Sequence, residues 1–185
     1  MLSDVDLISL LEKGIIKITE FNHECLRPSS YLLRIGETIL EEKETCKLID
    51  TKSTDTKEFY YEKKITEEGF ILKPGGFYLA SSIEKVSIPP DYVAILNQLS
   101  SFARIGLAIN FSSNLIAASF GMKSPSTITF EIKNLSANNI KIYPNVKLCH
   151  LSLFKHESKP DRVYNGIYGG RISPTPSNFL IKPSR

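Results

Sequence analysis

Beyond Gly14 the chain is written almost entirely in short β-favouring runs, and this periodicity limits the possible folds more than any other feature. Ile16 and Ile18 alternate with polar neighbours. Thr127 to Lys133 alternates strictly, which places Ile128, Phe130 and Ile132 on one face and Glu131 on the other. Further strands are predicted over Tyr31 to Ile35, Phe70 to Leu72, Gly76 to Ser81, Tyr92 to Leu96, Leu107 to Phe111, Ile140 to Tyr143 and Lys147 to Phe154, punctuated by Gly, Pro and Asn. Only the segment before Gly14 has helical spacing: Ser3 followed by Asp6 resembles a capping box with Asp in place of Glu, and Leu7, Leu10 and Leu11 share one face. The class is mainly β, a sandwich, jelly roll or barrel-like fold with a short N-terminal helix.

A chain of 185 residues, 42% hydrophobic and 23% charged, suits one soluble domain over 1–185. Between Glu41 and Glu68 charged residues crowd together, which predicts a peripheral excursion containing a solvated hairpin or loop. From about residue 165 the chain is rich in Gly and Pro, a tail expected to stay extended and mobile until something orders it. A formal charge of +3 is too small to argue for a nucleic-acid binder. The longest uncharged run, Ile105 to Met122, contains Asn110, Ser113, Asn114 and Ser119, so bilayer insertion would be costly. With no basic leader either, the expected compartment is the cytoplasm, and Cys25, Cys46 and Cys149 fit reduced thiols.

The three histidines and three cysteines lack metal-ligand spacing, so no zinc is expected, and phosphate-loop, dinucleotide and hydrolase-elbow motifs are missing. Three stretches remain. Ser100, Ser101 and Arg104 put two hydroxyls and a guanidinium on one turn, able to hold phosphate or simply to cap a surface helix. Glu131 faces away from its strand's core side, either into solvent or into a cleft between subunits where partial burial would suit proton transfer. Tyr164, Tyr168, Arg171 and Thr175 lie in the glycine-rich tail, which can cover a ligand or hang free.

In order along the chain, LSDVDLISLLEKG, RPSSYLLRIG, the block from LKPGGFYLASS to LSSFARIGL, and YNGIYGGRISPTPS resemble successive segments of the dCTP deaminase and dUTPase superfamily, in its dCTP deaminase branch. The resemblance covers nearly the whole chain. It implies a distorted, jelly-roll-like β-barrel of the dUTPase (β-clip) type, assembled as a homotrimer with nucleotide sites at subunit boundaries. It implies zinc-independent deamination of dCTP to dUTP, with Mg²⁺ carried on the triphosphate and with no nucleic-acid or membrane partner. Glu131 then matches the glutamate that takes a proton from water attacking C4. Ser100 and Arg104 match residues that place water and the carboxylate, and together with Ser101 hold phosphate. Asn110, Ser113, Tyr164, Tyr168, Arg171 and Thr175 fall at nucleotide-binding positions.

Several positions depart from the family pattern. Leu32 stands where the family carries Asp, Leu99 where it carries Arg, and Ala117 where it carries the acidic residue that serves the sugar and, in dUTPases, activates water. Ile167 replaces a common Lys and Arg171 a common Gln. Loss of the acid at 117 disfavours dUTP diphosphohydrolysis, because a general base contributes on the order of 10² to 10⁴ in rate. The alternative expectation is a degenerate homotrimer of the same fold that binds a nucleotide or serves a structural role without turnover, and a third is an enzyme of this fold acting on another deoxynucleotide or a modified pyrimidine.

Overall fold

The computed structural model describes residues 1–110 and 113–181. Helix α1 (Asp4–Glu12) begins where the sequence places it. The Ser3 hydroxyl accepts from the Asp6 amide at 3.2 Å, and the Asp6 carboxylate accepts from the Ser3 amide at 3.0 Å. Two of the orphan donors at the helix start are thus satisfied, and Leu7 is buried in the core.

The strands follow in chain order: β1 (Lys17–Ile18), β2 (Leu26–Arg27), β3 (Ser30–Glu42), β4 (Tyr60–Lys64), β5 (Phe70–Leu72), β6 (Phe77–Ser87) and β7 (Tyr92–Gln98). A one-turn helix α2 (Ser100–Arg104) leads to β8 (Leu107–Ile109), β9 (Leu115–Ile116), β10 (Ser126–Asn134), β11 (Ile140–Ile142) and β12 (Lys147–Lys155). Among the described residues one sheet runs β8-β10-β6-β3-β12-β7-β9, with β1 added on β6 and β2 and β4 on β3, while β5 and β11 form a separate pair. The result is a mainly β chain with a curled, half-barrel sheet and a short N-terminal helix, as the sequence predicts. No helix among the described residues is long and apolar enough to cross a membrane.

Strand β3 is where the sheet curls. Its first half pairs with β12 (Tyr31 opposite Leu151) and its second half with β6 (Leu40 opposite Leu79), with a register shift between Ile35 and Ile39. An irregularity of this kind bends and twists a strand. Gly36 lies at the bend because a Cβ there would sit 3.3 Å from the Ser81 carbonyl oxygen. Across the same bend the Arg34 Nε donates to the fully buried Glu84 carboxylate at 2.7 Å, and the Arg34 amide donates to its other oxygen at 3.0 Å. Glu84 and the Tyr31 phenol share this buried cluster, so truncating Glu84 would strand the Arg34 cation and is expected to cost about 3–5 kcal/mol.

Several strands outrun their predicted limits. β3 continues to Glu42 and β6 to Ser87, because paired neighbours carry each strand through charged stretches that read as loop. β8 ends at Ile109, and the predicted end at Phe111 lies outside the described residues. Leu32 is a core residue on β3.

Candidate active site

Strand β10 realises its alternation: Ile128, Phe130 and Ile132 are buried, while Thr129, Glu131 and Lys133 on the opposite face are only half-buried. The Glu131 face is partly covered. It forms one wall of a cavity of about 520 Å³. Tyr60, Phe77 and Leu79 line one side, and Leu96, Ile116 and Phe120 contribute apolar surface elsewhere. Glu131 is opposite Leu79 on β6, so its position is set by the central ladder of the sheet.

On the other edge of β10 the pairing with β8 stops at Ile109, and the next residue turns inward. Asn110 adopts a left-handed backbone (φ 49°), its amide donates to the Glu131 carbonyl at 2.9 Å, and its side chain is 95% buried against the cavity. Its Nδ2 faces the carbonyls of Thr129 at 3.3 Å and Ser113 at 3.5 Å. Its Oδ1 accepts no hydrogen bond among the described residues. A buried acceptor left unpaired costs on the order of 1–3 kcal/mol.

The tail forms the cover. The Thr127 amide donates to the Arg171 carbonyl at 2.9 Å, and the Gly170 amide donates to the Ser126 hydroxyl at 2.7 Å, which holds the tail along the start of β10. Tyr164 packs on Phe120 with ring centroids 5.6 Å apart, and burial pushes its phenol above the ordinary value. Tyr168, Arg171 and Thr175 then line the cavity beside Glu131. Beyond them the tail is fastened to the excursion. The Thr56 amide and hydroxyl both donate to the Ser177 carbonyl at 3.0 and 2.6 Å, and the Asn178 amide group donates to the Asp55 carboxylate at 2.9 Å. The excursion therefore anchors the tail, and through Tyr60 it also builds the cavity. Burial pushes the Tyr60 phenol up to about 12, reinforced by the nearby carboxylates of Glu42 and Glu131.

Seven of the ten residues singled out from the sequence thus meet in one cavity: Asn110, Ser113, Glu131, Tyr164, Tyr168, Arg171 and Thr175. The other three do not reach it. Ser100, Ser101 and Arg104 form α2, an exposed turn that follows β7. The Gln98 side chain fixes the base of this turn by accepting from the Ile109 amide at 2.7 Å and donating to the Leu107 carbonyl at 3.0 Å. Tyr60, Phe77 and Leu79 escaped the sequence reading. Tyr60 sits in a charged stretch that looks peripheral, and its only local signal is the aromatic pair Tyr60 and Tyr61 opening a strand.

Among the described residues Glu131 is the one carboxylate lining the cavity, and Ala117 also lines it. Among the described residues no group of three or more His, Cys, Asp or Glu side chains could hold a metal ion. The cavity can therefore offer a ligand one proton-accepting carboxylate, one guanidinium, several phenols and hydroxyls, and an apolar floor.

A family model described as "dCTP deaminase-like" matches residues 1–156. The dUMP-forming dCTP deaminase of a Sulfurihydrogenibium species is 31% identical over 181 residues, covering 98% of each chain. That of Aquifex aeolicus is 33% identical over 184 residues, covering 97% of this chain and 94% of the relative. A dCTP deaminase of Hyperthermus butylicus is 30% identical over 178 residues, covering 95% and 97%. Among solved structures, the 2'-deoxycytidine 5'-triphosphate deaminase of Agrobacterium tumefaciens superposes with a TM-score of 0.64 at 19% identity, covering 82% of this chain and 47% of that longer one.

Proposed function

The chain belongs to the dCTP deaminase-like family, and from that premise we propose that it hydrolyses the amino group of dCTP, with Glu131 as the proton-transferring group. The observation that carries the reading is the half-buried Glu131 on the wall of a cavity roofed by the chain's own tail. A carboxylate so placed takes a proton from water as the oxygen bonds to C4 of cytosine. It returns protons to the ring and then to the amine as the tetrahedral centre collapses, so that ammonia leaves and the carbonyl forms. The half-buried Tyr164 and the apolar floor lower the local polarity and strengthen each of these interactions.

In this reading the active unit is a homotrimer. Its support is geometric: α2 holds the serine pair and arginine at the surface, away from the cavity of its own chain, so the turn reaches Glu131 only if a neighbouring copy brings it there. Arg171, within the cavity, supplies one phosphate-seeking guanidinium, and Mg²⁺ enters as part of the nucleotide substrate. The proposed product is dUTP. Among the described residues the cavity has a single lining carboxylate and Ala117 has no base to offer, although the Sulfurihydrogenibium and Aquifex aeolicus relatives are named dUMP-forming.

The test is incubation of the purified protein with dCTP and Mg²⁺, following ammonia and nucleotides by chromatography. Ammonia with dUTP is the expected result, whereas dUMP with pyrophosphate would mean that a second hydrolysis runs without an acid at 117. Nucleotide affinity with no product would favour the second reading, a binding homotrimer without turnover. That reading draws support from Ala117 and from Leu99, which packs against the core at the head of the α2 turn.

A further inference from the structure

Tyr168 lines the Glu131 cavity and also the two spaces beside it, one of about 610 Å³ against Thr51 and Lys52 and one of about 360 Å³ against Asp55 and Lys57. Its side chain is the partition between them. Yet Tyr168 is 40% exposed and belongs to no helix or strand, so its own packing does not hold it in place. The support comes from either side along the chain. Two residues on, the Gly170 amide donates to the Ser126 hydroxyl on β10. Four residues back, the Tyr164 ring rests on Phe120, and its phenol oxygen accepts from the Tyr168 amide. Between these points the chain folds closely over the Tyr164 ring, for a Cβ on Gly166 would lie 2.3 Å from both Cζ and Oη of Tyr164. Gly166 does not have a positive φ, so the position excludes a side chain and not an ordinary backbone angle. The glycine admits the ring.

Resting on the deaminase reading above, we propose that Tyr164 and Gly166 are positioning residues for the substrate cavity. The Tyr164 ring, seated in the space that Gly166 leaves, sets the turn that carries Tyr168 into the cavity wall, and Tyr168 is the member of the group that meets the nucleotide. Tyr164 thus acts on the substrate through Tyr168. Displacing the ring moves the partition, and the three spaces then run together beside Glu131. A substrate in the enlarged space keeps its carboxylate but loses contacts along one wall. Contacts made equally before and during the reaction are read in KM, so the cost falls there more than in kcat.

The experiment measures saturation with dCTP and Mg²⁺, read as ammonia release, because KM does not depend on the folded fraction of a preparation. Gly166→Ala pushes a methyl into the seat of the ring without removing any group from the cavity, and should raise KM at least about tenfold. Tyr168→Ala should raise it at least as far. Tyr164→Phe keeps the ring and loses the acceptor for the Tyr168 amide, so a few-fold rise is expected. Gly169→Ala is the control: its Cβ would meet nothing nearer than 3.9 Å and its φ is not positive, so KM should stay within about twofold of the parent's. Added to Tyr168→Ala, neither Gly166→Ala nor Tyr164→Phe should change KM by more than about twofold, since residues that act through one another are not additive. Parent-like KM in Gly166→Ala or in Tyr168→Ala would overturn the proposal, as would an equal rise in Gly169→Ala. Undiminished effects in the Tyr168→Ala background would mean that Tyr164 meets the nucleotide itself, and would overturn it too. A parent that releases no ammonia from dCTP would instead end the deaminase reading on which the inference rests, a result distinct from any difference among the variants.

Discussion

The β10 wall and the α2 turn carry the two clusters of candidate residues, and folding treats them in opposite ways. Glu131 is fixed between β6 and β8, half-buried, and faced by the tail and by Tyr60 of the same chain. Ser100, Ser101 and Arg104 are anchored at their base by Gln98, yet they are exposed and do not line the Glu131 cavity. The difference teaches that a strand's alternation can assign a side chain to a pocket within one chain. A polar turn at the surface, by contrast, acquires no pocket from its own strand pattern.

The sharpest way to break the comparison is at Glu131. Glu131→Gln keeps the shape of the wall and removes the proton acceptor, so dCTP deamination should fall by at least about 10² to 10⁴ while nucleotide affinity persists. Equal turnover in variant and parent, followed by ammonia release, would remove the wall from the chemistry. Next in size is the turn. Arg104→Ala should lower kcat/KM by about tenfold to a hundredfold, the worth of a charge-assisted phosphate contact, with an unchanged melting temperature because the residue is exposed. A loss of stability instead of activity would make α2 a structural element.

A smaller effect is expected where the tail meets the excursion. Asp55→Ala removes the acceptor for Asn178 and should raise KM a few-fold, on the order of one exposed hydrogen bond, with kcat nearly constant. The reverse pattern, with kcat lost and KM kept, would mean that the fastening acts on the reacting groups. Least affected should be the sheet beneath both regions. Cys149, opposite Gln98 on β7, is fully buried, and burial pushes its thiol up to about 12. Its neutral form therefore favours the folded state fully below the ordinary thiol value of 9.0, an advantage lost as pH rises towards about 12. Alkylation at about pH 8, read by mass spectrometry, should modify exposed Cys46 and spare Cys25 and Cys149. Rapid modification of Cys149 would show that the sheet opens.

Much of this architecture was legible in the sequence because it is local. Ser3 and Asp6 make their capping box within one turn, and the alternation of Ile128, Phe130 and Ile132 sets the outward face of Glu131 without reference to the rest of the molecule. What the sequence hid was non-local. β4 is a string of charged and aromatic residues that becomes a strand only because β3 extends beside it, and Tyr60 enters the cavity only through that pairing. The fastening of Ser177 and Asn178 to Thr56 and Asp55 joins segments that no spacing rule connects. For the same reason the serine–arginine turn can be recognised as polar, while nothing in its own neighbourhood says what surface, if any, it meets.

The division of the site between copies is tested most directly by co-expressing Glu131→Gln and Arg104→Ala chains and assaying the mixed assemblies for ammonia release from dCTP. If each cavity borrows its α2 turn from a neighbour, random mixing pairs an intact Glu131 with an intact Arg104 at about a quarter of the sites, and activity should return to about that fraction of the parent's. Activity no greater than that of the two variants assayed separately would place Glu131 and Arg104 in service of the same chain, or of no shared reaction, and would contradict the account.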